Sequence, residues 1–111
     1  MLVSMRGFTA SLAFVALASP ASAQFFHGDE LRQMCNVRSE ASIAYVSGAI
    51  DAAFFYQKLS GVKDRICMPA GVKTDQLLDV ACRYVETHPE HRHWIAADLV
   101  AESAAVAWPC K

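Results

Sequence analysis

Apolar residues recur along the chain at the three- and four-residue spacing of amphipathic helices. The first such stretch is short, is capped at Asp29 and places Leu31 and Cys35 on one face. The second opens at Ser39 and covers residues 41–59, which makes it the longest. Because this second helix is apolar nearly all round, we expect it to be the central helix of the fold.

Two further helices follow a loop at residues 60–73, which contains glycine and proline and has no helical period. Thr74 caps the third helix. The apolar residues of that helix share one face: Leu78, Cys82 and Val85. Pro89 ends it, and residues 94–108 form the fourth helix. No segment alternates like a strand bounded by hairpin turns, so the sequence predicts an all-α fold, a compact four-helix bundle with one long irregular loop.

The charge balance narrows the function before any motif is considered. The 111 residues carry 10 Lys and Arg against 11 Asp and Glu, a formal net charge of −1, and show no basic run. A protein that binds nucleic acid usually presents a basic patch to the phosphate backbone. We therefore expect no nucleic-acid partner.

The N-terminus has the three parts of a secretory signal peptide. An arginine supplies the positive charge, residues 8–18 form the apolar run, and small residues precede a cleavage point before Gln24. An N-terminal membrane anchor is the alternative, but the run is about half the length that a span needs, and Pro20 breaks it. We expect residues 1–23 to be removed and residues 24–111 to form a single periplasmic domain with no attachment to the membrane.

Four cysteines, all beyond the signal peptide, predict two disulfide bonds in an oxidising compartment. The spacing of the cysteines and histidines does not fit a structural zinc site. Counting alone leaves the pairing open. Cys35 and Cys82 lie on the core faces of predicted helices, whereas Cys67 and Cys110 lie in irregular chain beside prolines. We therefore expect the pairs Cys35–Cys82 and Cys67–Cys110.

Tyr45, Gly48 and Asp51 lie within two turns on one face of the second predicted helix. A buried Asp51 that accepts hydrogen bonds would fix the packing of this helix, and Gly48 would let a neighbouring backbone approach closely. A catalytic role is the alternative, but a lone carboxylate lacks the partner acid, histidine or metal that acid–base chemistry needs. We expect these three residues to form a structural motif.

Several short motifs follow one another along residues 24–111. In order they are an early helix Cys35, Tyr45-x-x-Gly48-x-x-Asp51-Ala52, Ile66-Cys67-Met68-Pro69, Gly71-Val72, His88-Pro89-Glu90 and Trp108-Pro109-Cys110. Their order and spacing resemble the Tai-type immunity proteins of type VI secretion. The resemblance implies a periplasmic, all-helical protein, often dimeric, that plugs the active-site cleft of a peptidoglycan amidase toxin. The chain departs from that family at Ser42, where a cysteine is usual, and in having Cys82, which implies a different bridge from Cys35.

Residues typical of an enzyme or a metal site are scarce. His88, His91 and His93 form the one metal-like cluster, but a proline interrupts a stretch where catalytic zinc sites usually have a helical i, i+4 pair. No known nucleophile, phosphate-binding or zinc-protease motif is present. We expect neither catalysis nor a metal or cofactor, and favour an inhibitor of a secreted hydrolase. The alternative is a small periplasmic helical protein with a binding or chaperone-like role and no toxin partner.

An inhibitor that plugs a cleft needs a segment that loses little entropy on binding. The segment around Pro89 fits best, because proline restricts the turn and its neighbours offer polar contacts and an aromatic anchor. The expected partner-binding residues are His88, Glu90, His91, Arg92, His93 and Trp94. The rival segment is residues 61–65, with Lys63, Asp64 and Arg65 exposed, but Cys67 tethers it at only one end.

Aromatic residues exceed what so small a bundle can readily bury. They are Phe54, Phe55, Tyr56, Trp94 and Trp108. Some of them should form a shared face, and we therefore expect a homodimer, since two-fold association is the commonest way to cover such a patch.

Overall fold

The computed structural model describes residues 24–111, which form four α-helices. These are α1 (Gly28–Val37), α2 (Glu40–Ser60), α3 (Thr74–Thr87) and α4 (Ala96–Ala107), with a 3-10 helix, Pro89–His91, between the last two. The only strand-like pairings in this part of the chain are two isolated bridges. The predicted all-α bundle with a long loop before α3 is confirmed. The predicted signal peptide, residues 1–23, lies outside the described residues.

Side-chain oxygens fix the starts of the first three helices. In each, the third residue after the N-cap accepts a hydrogen bond from the N-cap amide: Glu30 from His27 (2.9 Å), Ser42 from Ser39 (3.2 Å) and Gln76 from Lys73 (2.9 Å). At α2 the exchange is reciprocal, because the Ser39 hydroxyl accepts from the Ser42 amide at 3.2 Å. Ser42, where the chain departs from the Tai-type pattern, is buried and completes this cap.

Three helix starts differ from the predicted ones. The N-cap of α1 is His27 rather than Asp29, which is the second helical residue. The N-cap of α3 is Lys73 rather than Thr74, which is the first helical residue. The fourth helix begins at Ala96 rather than at residue 94. It starts late because Ile95 is in extended backbone and pairs with His27 in an isolated bridge.

The core is formed mainly by α3 and α4 rather than by α2. Six residues of each are buried. Those of α3 are Leu77, Leu78, Ala81, Cys82, Tyr84 and Val85. The expectation for α2 is wrong, because only Ser42, Val46 and Ile50 of its 21 residues are buried. At about 1.5 Å per residue α2 is about 32 Å long, and helices of 14 and 12 residues cannot cover it on all sides.

One face of α2 is therefore open to solvent, and the predicted structural motif lies partly on it. Asp51 is exposed, so its predicted burial is wrong. Gly48 is also exposed, and a Cβ atom there would meet nothing within 4 Å, so no neighbouring backbone approaches it closely. Of the three motif residues, Tyr45 alone packs against the core.

Two disulfide bonds join elements that are distant in sequence. Cys35–Cys82 fastens α1 to α3 with a Cα–Cα distance of 5.6 Å. Cys67–Cys110 fastens the loop before α3 to the C-terminus with a Cα–Cα distance of 5.0 Å. Both predicted pairings are confirmed. In the described part of the chain, no helix combines the length and the hydropathy needed to cross a membrane.

Candidate functional site

The segment between α3 and α4 is closed by its own backbone hydrogen bonds. The amide of His91 donates to the carbonyl of His88 (3.0 Å), that of Arg92 to Pro89 (3.3 Å) and that of Trp94 to His91 (2.8 Å). These are turn-type bonds between residues three apart. Residues 88–94, which we call the α3–α4 turn, are therefore a preformed structure.

Four rings stack at the base of this turn, and we call them the ring stack: Tyr84, His88, His91 and Trp94. The Tyr84 and His88 ring centroids are 3.9 Å apart, those of His91 and Trp94 3.8 Å, and those of the two histidines 5.5 Å, with rings within 14° of parallel. The Tyr84 hydroxyl lies 3.2 Å from His91 Nδ1. His88 Nδ1 lies 2.9 Å from the Tyr84 carbonyl oxygen, which can only accept, so this nitrogen carries a proton.

The electrostatics of the ring stack favour one arrangement of protons. Burial raises the pKa of the Tyr84 phenol above its ordinary value, and Glu102 and Glu90 add to the effect. The hydroxyl therefore stays protonated at neutral pH and can donate to His91 Nδ1. In the neutral His91 ring the proton is then on Nε2, which lies 4.0 Å from a carboxylate oxygen of Glu90.

All six expected partner-binding residues lie in this one turn, and five of them, all except Arg92, divide into two groups. His88, His91 and Trp94 are half-buried in the ring stack and build the turn. Glu90 and His93 are exposed and available for contact. Sequence reasoning treated them as one set, because stacking between residues three apart in a proline-containing segment has no sequence signature of its own.

Arg92 is the cation of the α3–α4 turn. It is half-buried, and its Nε is buried without a hydrogen-bond partner among residues 24–111. Three other arginines of the protein each pair with a carboxylate: Arg32 with Glu86, Arg38 with Asp79, and Arg65 with Glu102. Within residues 24–111, no ion pair compensates the charge of Arg92.

The rival segment, residues 61–65, is better anchored than expected. The Gln57 side-chain oxygen accepts hydrogen bonds from the amides of Arg65 and Ile66, both at 2.8 Å. Arg65 also pairs with Glu102 at 2.8 Å. Cys67 is therefore not its only tether, and Gln57 is a structural residue that the sequence analysis missed. Lys63 remains fully available at the surface.

A groove of about 820 Å³ runs between α2 and α4. Six alanines line it: Ala49, Ala52 and Ala53 from α2, and Ala97, Ala101 and Ala105 from α4. His93 and Trp94 line it from the α3–α4 turn, and Lys63 and Arg65 line it from the rival segment. The two segments that the sequence presented as alternatives therefore border one groove.

Large apolar side chains are exposed near the C-terminal end of α2. Phe55 is 66%, Tyr56 67%, Leu59 72% and Val62 61% exposed. Of the five aromatic residues expected to exceed the core, only Phe55 and Tyr56 are exposed, because Phe54, Trp94 and Trp108 pack against the core. We call Phe55, Tyr56, Leu59 and Val62 the α2 apolar patch.

The described part of the chain contains neither a cluster of metal ligands nor a free thiol. No three His, Cys, Asp or Glu side chains there are placed to hold a metal ion, and all four cysteines are in disulfides. The turn, the groove and the apolar patch are surfaces suited to contact with another protein.

These features define a small, disulfide-bonded helical protein of the binding class. The family model of the Rap1a immunity proteins matches residues 27–110. The chain therefore belongs to the Rap1a immunity protein family, an immunity family of type VI secretion, whose members neutralise toxins. No significant match was found among the curated proteins or among the solved structures.

Proposed function

We propose that this immunity protein neutralises a peptidoglycan amidase in the periplasm by placing the α3–α4 turn in the enzyme's active-site cleft. The observation that carries the proposal is the turn itself, which three backbone hydrogen bonds and the ring stack hold in one conformation. A preformed turn loses little conformational entropy on binding. The resemblance to Tai-type immunity proteins supports the class of enzyme.

The chemistry of the exposed residues suits the cleft of a Cys/His amidase. Glu90 offers a carboxylate and His93 an imidazole to polar groups lining such a cleft. Arg92 offers an uncompensated cation to an acidic rim. Tight inhibitors concentrate their binding energy in a few residues that are held rigidly, as these are by the stack beneath them.

An inhibition assay tests the proposal with residues 24–111 and an amidase encoded beside its gene. The triple variant Glu90→Ala, Arg92→Ala, His93→Ala should weaken inhibition of peptidoglycan hydrolysis at least tenfold. The changes at the exposed Glu90 and His93 should each alter the unfolding free energy by less than about 0.5 kcal/mol. Because Arg92 is half-buried, urea denaturation of the triple variant shows whether the loss reflects contact rather than folding. His91 is left intact, because removing its ring would break the stack.

Lys63→Ala with Asp64→Ala is the matched control in the rival segment, and it should inhibit within threefold of wild type. The opposite result, in which the control loses inhibition and the turn variant keeps it, would move the site to residues 61–65. If no neighbouring gene encodes an amidase that wild type binds, the amidase proposal is wrong.

The periplasmic location is supported by the signal-peptide pattern of residues 1–23 and by two disulfides, which persist in oxidising compartments. Cell fractionation should recover the protein with the periplasmic contents, and N-terminal sequencing should start at Gln24. Recovery of the uncleaved chain from the cytoplasm would contradict this part of the proposal.

We further propose a homodimer in which the α2 apolar patch is covered by a second copy. Light scattering should give a dimer at micromolar concentration, and Phe55→Lys with Leu59→Lys should give a monomer. Val37→Lys is the control, because Val37 is a 71% exposed apolar residue on α1, away from the patch. A wild-type monomer would contradict the dimer.

The alternative, a chaperone-like protein, is favoured by the same exposed patch, since chaperones bind unfolded clients through apolar surface. It predicts that Phe55→Lys with Leu59→Lys abolishes the suppression of client aggregation. It also predicts that the Glu90, Arg92 and His93 changes have no effect in that assay. An unaltered aggregation rate in the presence of wild-type protein would exclude it.

A further inference from the structure

Residues 26–28, which precede and begin α1, run antiparallel to the chain that leaves the α3–α4 turn. The Phe26 carbonyl accepts from the Ala96 amide at 2.9 Å. The Gly28 amide donates to two carbonyls of the turn, Arg92 at 2.9 Å and Trp94 at 3.1 Å. We call residues 26–28 the strap, because it holds the end of the turn by its backbone.

Gly28 is required for this contact by its lack of a side chain. It is buried, and a Cβ atom added to it would lie 2.6 Å from both the Cα and the carbonyl oxygen of Arg92. These are backbone atoms, so any side chain at position 28 must push the strap and the turn apart. Gly28 is also the first residue of α1, and its amide is one of the donors that a helix cannot satisfy internally. The turn thus receives a donor that would otherwise be unpaired.

The strap is itself held on two sides. The Phe26 ring packs edge-on against Tyr45 of α2, with centroids 5.3 Å apart and rings at 89°. On the other side, Cys35–Cys82 fastens α1 to α3. Movement of Arg92 relative to the bundle is therefore restricted by α1, α2 and α3 together.

We infer that the strap positions Arg92 to bind a carboxylate of the partner protein, with Gly28 as the positioning residue. The inference rests on the proposed function of the α3–α4 turn. A guanidinium binds a carboxylate through parallel N–H donors in a fixed plane, so its placement decides whether both bonds form. Arg92 fits such a role, because Gly28 fixes its backbone and none of the ion pairs among the described residues involves its guanidinium. Its Nε is buried, so the donors left for a partner's carboxylate are its two terminal nitrogens.

The first experiment compares Gly28→Ala with Gly48→Ala, a matched change at a helical glycine where a Cβ meets nothing within 4 Å. By calorimetry with the amidase, Gly28→Ala should weaken the dissociation constant at least tenfold and Gly48→Ala by less than twofold. Wild-type affinity in Gly28→Ala would overturn the inference. If Gly28→Ala does not fold, Phe26→Ala takes its place, since it frees the strap from Tyr45 without adding an atom to the turn.

A double-mutant cycle separates positioning from a general loss of stability. If Gly28 acts through Arg92, the effect of Arg92→Gln on affinity should be at least fivefold smaller in the Gly28→Ala protein than in wild type. If the double variant instead loses affinity by the product of the two single-variant factors, Gly28 does not act through Arg92 and the positioning role is wrong. Arg92→Gln in the wild-type background should also flatten the salt dependence of binding, and an unchanged salt dependence would overturn the carboxylate partner.

Backbone amide spectra of the protein alone keep this inference separate from the proposed function. In Gly28→Ala the resonances of Arg92 and Trp94 should shift, and those of the α2–α3 loop should not. If wild type binds no amidase, the proposed function fails. The coupling of the strap to the turn is tested separately by these spectra, which need no partner. Unshifted Arg92 and Trp94 resonances would overturn that coupling.

Discussion

Replacing Cys35 and Cys82 together by alanine should lower the unfolding free energy by about 4 kcal/mol. The two cysteines are 47 residues apart, and the entropy that a bridge removes from the unfolded chain grows with the logarithm of that separation. The ion pairs that join this part of the chain to α3 have side chains at least 36% exposed and contribute at most about 1 kcal/mol each. They cannot replace the disulfide.

Equilibrium urea denaturation followed by far-UV circular dichroism measures this loss. Because domains of this size have only about 5–15 kcal/mol of stability, the midpoint should fall steeply. Replacing Cys67 and Cys110 by alanine is the matched control, and their separation of 43 predicts nearly the same loss. A loss below about 1 kcal/mol for the Cys35–Cys82 pair would refute the chain-entropy reasoning. So would a large difference between the two pairs.

Three further outcomes are expected in the same denaturation assay. Leu78→Ala, at a side chain 1% exposed, should cost about 2–5 kcal/mol, whereas Leu59→Ala, at 72% exposed, should cost under about 0.5 kcal/mol; similar costs would mean that the assigned core is wrong. Tyr84→Phe should cost about 1 kcal/mol by removing the hydroxyl that bonds His91, and no loss would show that this bond contributes nothing. The hydrogen bond from the His27 backbone amide lowers the pKa of the Glu30 carboxyl below its ordinary value of 4.5. The ionised carboxylate should therefore stabilise the fold fully above pH 4.5, and this stabilisation should disappear as the pH falls through the lowered pKa. Glu30→Gln should therefore differ from wild type at pH 7 and converge with it near pH 3, and a constant difference would contradict this.

Helix periodicity was sufficient to predict the disulfides. Cys82 shares a face with Leu78 and Val85, and the structure buries all three. Cys35 shares a face with Leu31, which is fully buried. The pairing of Cys35 with Cys82 could be predicted because side chains on the core faces of neighbouring helices come within the distance that a disulfide requires.

The hydropathy pattern predicts that α2 is buried on all sides, and this prediction is wrong for a physical reason. Alanine counts as apolar but has little surface to bury, so a helix rich in alanine can be apolar all round without being surrounded. Asp51 and Gly48 then fall on the open face together with Phe55. The sequence shows which residues are apolar, whereas the lengths of the neighbouring helices decide which of them are covered.

The sequence predicts where the candidate site lies along the chain, but it does not predict how the site is constructed. Proline and the polar residues around it identified the α3–α4 turn. Gly28 lies far from Arg92 in sequence, and Gln57 holds Arg65 by a contact between loop and helix. Such contacts depend on how the helices pack, and a single glycine or glutamine carries no local signal for them.

The groove between α2 and α4 is bordered by both the α3–α4 turn and residues 61–65, so one partner can contact both segments. A partner that fills the groove from the α3–α4 turn reaches Lys63 as well, because both segments line it. The losses on substitution should nevertheless be unequal. The turn is held by the ring stack and the strap. Lys63 lies in an exposed segment that is anchored only after it, where Arg65 bonds to Gln57 and pairs with Glu102. Since a rigid residue gives up less entropy on binding than a mobile one, the larger share of the affinity should come from the turn.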